Sequence, residues 1–304
     1  MTQYFLGVDG GQSSTTAIIA DENGHILHIG KGGPCNHVKT GDGRAKFENA
    51  ILGCLGSHAR LRFRAACLGF SGGPKDKEAL VRQMIAAEQY SVTNDGLIAL
   101  TGATGGEPGI IVVGGTGSIA YGRNARGELR RAGGWGYIFG DEGGGFDITR
   151  EAVRASLRME EGWGPATSLR EKLLAMTHSE DANDLVHRLY TSDFPRPLIA
   201  SYSKLVDQAA REGDPIAIGI LNRAAQALAG FASSVRSTLF APDEKPVVCP
   251  VGNVYNSEIL RARFEMLVEN TQDPLYGPAS GALIEAWRMA GNPVLTAHLP
   301  KAEK

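Results

Sequence analysis

The sequence has few cysteines, no long apolar run and almost no net charge. Its four cysteines show no C-x-x-C spacing and its seven histidines form no H-E-x-x-H, which argues against a disulfide framework and a zinc site. No apolar run reaches the roughly 18 residues of a membrane span. Because 31 basic residues nearly balance 33 acidic ones, the chain has no electrostatic signature of a nucleic-acid or membrane partner.

The N-terminal segment lacks the basic and apolar regions of a signal peptide, so we expect a cytoplasmic protein. The 304 residues, 42% hydrophobic and 21% charged, suit one large or two medium globular domains. Glycine is in excess, with 40 of the 304 residues, about twice the usual share of about 7%. Since glycine permits tight turns and close backbone approach to a ligand, the glycine-rich turns are the first candidates for a site.

Hydrophobic periodicity predicts an α/β fold with a duplicated β-unit. Its strands lie at 4–8, 14–20 and 25–29, and the same strand, glycine-rich turn, strand pattern returns at 110–113 and 118–121. Further strands are predicted at 65–70 and 246–250, and helices at about 43–59, 147–159, 167–176, 181–190, 197–212, 214–239, 257–269 and 278–290, with Pro74 in the first turn of another helix. We expect a lobe at 1–106, on which 290–304 pack back, a larger lobe at 107–289 with the extra helices, and an active site in the cleft between them.

Two glycine-rich turns have the composition of phosphate-binding loops. Asp9-Gly10-Gly11-Gln12-Ser13-Ser14 and Gly114-Gly115-Thr116-Gly117-Ser118 each follow an apolar strand. Such turns aim backbone N–H groups at phosphate oxygens, and Asp9 could hold a hydrated Mg²⁺. A dinucleotide fingerprint needs a helix after the second turn, and a Walker loop needs G-K-S or G-K-T; both are missing. A pair of loops clamping a polyphosphate is the preferred interpretation, and ordinary hairpin turns are the alternative.

Gly69-Phe70-Ser71-Gly72-Gly73 matches the G-x-S-x-G nucleophile elbow of hydrolases. An esterase also needs an oxyanion partner such as H-G-G-G, which the sequence lacks, and it leaves both glycine-rich turns unexplained. We therefore expect Ser71 to form a turn or to contact a sugar hydroxyl, with the esterase as an alternative.

Two further segments place carboxylates beside turns. Asp95, which follows Asn94, is a helix N-cap, a general base that accepts a proton from an attacking hydroxyl, or both. Segment 133–145 holds Trp135, Asp141 and Glu142 among several glycines. Either this Trp belongs to the core and the acids favour a helix N-terminus, or the segment forms a pocket for a polar ligand, because carboxylates accept hydrogen bonds from sugar hydroxyls.

In this order, and with Val251-Gly252-Asn253 after them, these segments resemble the sugar-kinase/Hsp70/actin ATPase superfamily, most closely the N-acetylglucosamine kinase branch of the BadF/BadG/BcrA/BcrD ATPase family. The most specific segments are Pro34-Cys35-Asn36-His37, the Gly133 to Gly145 run and Gly213-Asp214-Pro215. The resemblance implies a two-lobed, actin-like (ribonuclease H-like) ATPase fold. It also implies ATP- and Mg²⁺-dependent phosphorylation of an amino sugar, N-acetyl-D-glucosamine first, at its 6-hydroxyl.

Residue roles follow from the same resemblance. Asp9 would hold Mg²⁺ through water, and Asp95 would be the catalytic base. The sugar contacts would be Asn36, Asp95, Gly134, Trp135, Gly136 and Asp141, and Ser71 is a further candidate from its own turn rather than from the resemblance. The ATP contacts would be Gly10, Gly11, Gln12, Ser13, Gly115, Thr116, Gly117, Ser118, Ala210 and Gly252.

Several alternatives stay open. Glucosamine, N-acetylmuramic acid and glucose are other possible substrates, and 1-OH phosphorylation is another possible outcome. An activator ATPase of an acyl-CoA dehydratase would carry a Cys-Ala-Ala-Gly-Thr-Gly-like motif, which does not occur here. A non-catalytic sugar sensor would usually have a helix-turn-helix extension, which we do not find before Tyr4. A homodimer is plausible by resemblance.

Overall fold

A computed structural model describes residues 2–35, 38 and 41–302. The chain forms two compact units, one of Met1–Gly109 with Asp273–Lys304 and the other of Ile110–Gln272.

Unit 1 is built on a five-stranded sheet in the order β3-β2-β1-β4-β5. The strands are β1 (Tyr4–Gly10), β2 (Thr15–Asp21), β3 (Ile26–Gly32), β4 (Arg62–Phe70) and β5 (Ala86–Asn94), and the helices among them are α1 (Gly43–Leu55), α2 (Glu78–Met84) and α3 (Asp95–Ala103). β1, β2 and β3 form the predicted antiparallel meander, whereas β4 and β5 continue the sheet in parallel with β1. Successive side chains of β1 enter opposite layers: Leu6 packs with α1, and Phe5 with the C-terminal helix of the chain.

Helix α2 corrects one prediction. Pro74 does not lie in its first turn, because the Pro74 carbonyl accepts hydrogen bonds from the backbone N–H groups of Lys77 and Glu78 in a turn that precedes the helix. The buried ammonium of Lys77 donates to the Gly73 carbonyl at 3.1 Å and holds this turn closed.

Unit 2 repeats the strand pattern in a four-stranded sheet with the order β8-β7-β6-β9. The strands are β6 (Gly109–Gly114), β7 (Ser118–Arg123), β8 (Leu129–Gly133) and β9 (Val247–Val251). The helices are α4 (Gly145–Glu160), α5 (Leu169–Thr177), α6 (Ala182–Leu189), α7 (Arg196–Ser201), α8 (Ser203–Arg211), α9 (Pro215–Leu239) and α10 (Glu258–Leu267). The single helix predicted at 197–212 is two helices, because 3₁₀-type bonds from Tyr202 N to Ile199 O and from Leu205 N to Tyr202 O interrupt the α-helical ladder.

Helix α9 is the core helix of unit 2. Asp214 caps it through bonds from the N–H groups of Ile216 and Ala217, and Pro215 occupies its first turn. In the described part of the chain it is the one helix long and apolar enough to cross a membrane by length and composition. Its buried face, which includes Leu221 and Leu228, packs into the hydrophobic core of the unit, as expected for a core helix of a globular domain.

The C-terminal helix α11 (Pro278–Met289) belongs to unit 1, so the predicted lobe boundary at 289 is corrected to 272. Glycines allow this helix to pack with unusually close backbone contact. A Cβ on Gly281 would lie 1.9 Å from the Ile98 carbonyl oxygen of α3, and one on Gly7 would lie 2.3 Å from the Leu283 nitrogen. Periodicity detects the helix but not its packing partner, because the contact depends on glycines far apart in sequence.

Candidate active site

Three parallel strands of unit 1 end side by side and bring together residues from three segments. In the register of the sheet, Asp9 of β1 pairs with Gly69 of β4, and Phe70 of β4 pairs with Asn94 of β5. Ser71 follows directly after β4, and its N–H donates to the Gly10 carbonyl at 3.1 Å. Ligand sites of α/β folds form at the carboxyl ends of such strands.

The N-cap of α3 is Asn94, and the next residue, Asp95, is the first of the helix. Asn94 Oδ1 accepts the N–H of Leu97 at 2.9 Å, whereas Asp95 Oδ1 accepts the N–H of Gly96 at 3.0 Å. Asp95 is exposed at the helix N-terminus. The two roles considered for Asp95 are therefore divided between neighbours, because Asn94 provides the cap and leaves the Asp95 carboxylate accessible.

Asp9 is a half-buried carboxyl at the end of β1. Burial, and secondarily the negative charge of Asp95, raises the pKa of Asp9 to about 6. A divalent cation would relieve this electrostatic cost, and carboxylate oxygens are the donors that Mg²⁺ prefers. Within the described ranges no three His, Cys, Asp or Glu residues form a metal-binding group.

The first glycine-rich turn is closed by a bond from the Gly11 N–H to the Ser14 carbonyl at 2.9 Å. Gln12 and Ser13 are exposed at its tip. The N–H of Cys35 donates to the Gly11 carbonyl at 3.0 Å, which attaches the Pro34-Cys35 segment to this turn. Asn36, the predicted sugar contact that follows, lies outside the described residues.

The second glycine-rich turn, in unit 2, is joined to the N-terminus of α4. The N–H of Gly145 donates to the Gly115 carbonyl at 2.8 Å, and that of Phe146 donates to the Thr116 carbonyl at 3.1 Å. Ser118 is buried, and its hydroxyl donates to the Glu142 carbonyl at 2.6 Å, so in this structure it holds segment 133–145 in place. The first two N–H groups of α4 thus hold the turn, which places it at the positive end of the helix dipole.

Asp141 connects the predicted sugar segment to the predicted ATP loop. It is buried, adopts a left-handed φ of 62° and lies against Gly117. A non-glycine residue in this conformation is strained and is a frequent feature of functional sites. The guanidinium of Arg196, at the start of α7, lies 3.9 Å from Asp141 Oδ2.

Trp135 is not a core residue, because 68% of it is exposed. It lies between Gly134 and Gly136, whose positive φ angles of 72° and 85° are conformations that glycine adopts readily. The guanidinium of Arg131 covers its ring at 4.7 Å from the centroid. This geometry excludes the core interpretation and leaves an aromatic face available to a ligand.

A cavity of about 400 Å³ opens beside the second glycine-rich turn. Gly115 and Thr116 line it, together with Lys204 and Asp207 of α8. Of two further predicted ATP contacts, Ala210 is buried in the hydrophobic core. Gly252 is exposed, packs against the Gly114 carbonyl and directly precedes Asn253, which lines the cavity. The sequence did not identify Lys204 and Asp207 as cavity residues. Their spacing places them on one polar helix face, which is a feature of every amphipathic helix.

The fold is that of an actin-like ATPase. The chain belongs to the BadF/BadG/BcrA/BcrD ATPase family, whose sequence profile matches residues 6–286. This confirms the resemblance. The sequence is 33% identical over 264 residues to an N-acetylmuramic acid/N-acetylglucosamine kinase of Clostridium acetobutylicum, covering 84% of this chain and 86% of the relative. It is 31% identical over 284 residues to an N-acetyl-D-glucosamine kinase of Dictyostelium discoideum, covering 85% and 88%.

Solved structures agree with this assignment. A Chromobacterium violaceum protein, provisionally named as an N-acetylglucosamine kinase, superposes with a TM-score of 0.73 at 27% identity, covering 92% of this chain and 98% of that one. A glucokinase of the ROK family from Streptomyces griseus shares the fold, with a TM-score of 0.57 at 17% identity and coverage of 95% and 100%. Family and relatives indicate an ATP-dependent sugar kinase.

Proposed function

We propose that this protein transfers the γ-phosphoryl group of ATP to an amino sugar, most directly to the 6-hydroxyl of N-acetyl-D-glucosamine. The proposal rests on the different roles of two adjacent residues at the end of β5. Asn94 caps α3, so the Asp95 carboxylate stays accessible. It lies close enough to Asp9 for its negative charge to contribute to the raised pKa of Asp9. The names of the Clostridium and Dictyostelium relatives support the choice of sugar.

Each group has a defined part in such a transfer. Asp95 accepts the proton of the attacking sugar hydroxyl as the hydroxyl oxygen bonds to the γ-phosphorus of ATP and the bond from that phosphorus to ADP breaks. The second glycine-rich turn would lie against the phosphates, and the positive end of the α4 helix dipole beside it would favour their negative charge. Asp9 would hold Mg²⁺ through water, and the bound ion would neutralise phosphate charge. Trp135 and Asp141 would contact the sugar, the carboxylate by accepting hydrogen bonds from hydroxyls.

N-acetylmuramic acid is a second candidate substrate. The Clostridium relative is named for both sugars. N-acetylmuramic acid carries a carboxylate that N-acetylglucosamine lacks, and Arg196 offers it a cation that is 38% exposed next to Asp141. Loss of activity on this sugar alone in Arg196→Gln would support the assignment.

The deciding experiment measures ADP release from Mg·ATP with N-acetylglucosamine, glucosamine, N-acetylmuramic acid and glucose, and with water as the control. Turnover on an amino sugar that Asp95→Asn abolishes, with product identified as the 6-phosphate by NMR, would establish the kinase. ADP release without sugar dependence would instead favour an activator ATPase. A chromogenic ester assay with Ser71→Ala tests the esterase.

We also propose a cytoplasmic homodimer. Light scattering of the purified protein tests the dimer, and fractionation of the source cells tests the location.

A further inference from the structure

The turn after β4 begins with Ser71 and is closed by a buried cation. Gly72 and Gly73, which follow Ser71, have φ angles of 78° and 88°, and a Cβ on either would meet no described atom within 4 Å. Glycines in open space restrict the backbone little. Lys77 donates from Nζ to the Gly73 carbonyl at 3.1 Å, so a hydrogen bond from the far end of the segment fixes this turn.

The Lys77 ammonium is an expensive way to hold a turn. Its side chain is only 2% exposed, which is unusual for a lysine. It also contacts Asp76 Oδ1 at 3.1 Å and the ring of Phe70, whose centroid lies 5.9 Å from Nζ. An apolar side chain of similar volume would fill the same space without the cost of burying a charge. What such a side chain could not do is fix the position of the Gly73 carbonyl.

The turn borders the site at the end of the sheet. The N–H of Ser71 donates to the carbonyl of Gly10, the residue directly after Asp9, at 3.1 Å. Gly10 is also held by its pairing with Thr15 of β2. The first glycine-rich turn therefore starts from a strand end that is fixed without Lys77, whereas the position of the Ser71 side chain depends on the turn that Lys77 closes.

We propose that Lys77 is a positioning residue that holds the Ser71 hydroxyl where it contacts the sugar. The ammonium acts through the turn and does not itself touch the substrate. Its loss should weaken the binding of the sugar and leave that of ATP unchanged. This inference rests on the proposed function, because it takes Ser71 as a sugar contact of the kinase.

Steady-state kinetics of Lys77→Met, Ser71→Ala and the double variant test the proposal. Methionine keeps an unbranched, flexible side chain but removes the charge and the N–H donors. Each single change should raise KM for N-acetylglucosamine about tenfold, the effect of one lost hydrogen bond, while KM for ATP changes by less than about twofold. The double variant should also show about a tenfold increase, because both changes remove the same sugar contact.

Lys75→Met is the matched control. Lys75 belongs to the same segment between β4 and α2 and loses the same charge, but its side chain is exposed. It should keep the wild-type KM for both substrates. Lys77→Gln retains an uncharged N–H donor on a shorter side chain, so its sugar KM should lie between those of wild type and Lys77→Met. It takes the place of Lys77→Met in the double variant if that change prevents folding.

Amide hydrogen exchange without ligands separates this proposal from the proposed function. The N–H groups of Ser71 and Gly73 are both bonded to backbone carbonyls, and they should exchange about tenfold faster in Lys77→Met than in wild type or Lys75→Met. If wild type phosphorylates no sugar, the proposed function fails, and exchange still decides whether Lys77 holds the turn.

Four results would overturn the proposal. They are a wild-type sugar KM in a folded Lys77 variant, an equal rise in KM for ATP, multiplied effects in the double variant, and unchanged exchange of the two amides. A rise of the sugar KM in Lys75→Met equal to that in Lys77→Met would attribute the effect to the charge of the segment rather than to the bond, and would overturn it as well.

Discussion

The carboxylate of Asp141 packs directly on the backbone of Gly117. A Cβ at position 117 would lie 2.3 Å from Asp141 Oδ2, closer than nonbonded atoms approach. Two segments separated in sequence, one predicted to contact the sugar and the other ATP, thus meet within unit 2. A shift of either segment would therefore displace the other at this contact.

Gly117→Ala should displace Asp141 and lower kcat/KM for the sugar about 100-fold, since misplacement of a binding group by about 1 Å has effects of this size. Steady-state kinetics measures the effect. Gly230→Ala, on the exposed face of α9, is the control, because no heavy atom lies within 4 Å of its added Cβ, and its sugar kinetics should match wild type. Unchanged sugar kinetics in Gly117→Ala would show that the contact has no functional consequence.

Asp95 and Asn94 should separate catalysis from stability. Asp95→Asn should lower kcat at least about 100-fold with an unchanged melting temperature, because it removes the base but not the cap. Asn94→Ala should reduce the free energy of unfolding by about 1 kcal/mol through loss of the bond to Leu97 N–H. Kinetics and denaturant titrations measure the two effects. Equal loss of stability in both variants would make Asp95 structural.

The pH dependence of stability should report on Asp9. Its pKa is about 6 in the folded state and near 3.8 in the unfolded state, so the folded state binds the proton more tightly. This contribution to stability is fully present below pH 4 and is lost as pH rises through 6, a cost of about 3 kcal/mol.

Asp9→Asn should therefore raise the urea midpoint at pH 7.5 without Mg²⁺, and the gain should vanish near pH 4. The same variant should lose kinase activity. A gain of equal size at both pH values would assign it to packing rather than ionisation.

Asp214 is a hydrogen-bonded capping carboxylate that joins α9 to the segment before α5. Its Oδ2 accepts the Thr167 hydroxyl and both the N–H and hydroxyl of Ser168 at 2.7–2.8 Å. Burial alone would raise the pKa of Asp214, but the bonds from Thr167 and Ser168 outweigh it and hold the pKa below its usual value.

Asp214→Ala should therefore cost about 2–4 kcal/mol of unfolding free energy at pH 7. That loss should shrink in acid, as the wild-type carboxylate is protonated through its folded pKa. Asp181, the exposed cap of α6 with bonds to two backbone N–H groups, is the control, and Asp181→Ala should cost about 1 kcal/mol. Equal costs for the two variants would mean that the bonds to Thr167 and Ser168 add nothing.

Much of this protein follows from local sequence signals. Alternating apolar residues determine the strands, and glycine-rich turns after β1 and β6 mark both phosphate-loop candidates, because turn geometry depends on a few adjacent residues. The order of these segments also identifies the family, which the match over residues 6–286 confirms.

Only the tertiary structure decided which residues meet. It assigns α11 to unit 1 through the close approach of Gly281 to α3, and it places Asp141 on Gly117. It also brings Lys204 and Asp207 of α8 to a cavity that they line together with Gly115 and Thr116, far from them in the chain. These contacts join positions distant in sequence, and their geometry depends on how helices pack on sheets, so local periodicity carries no record of them.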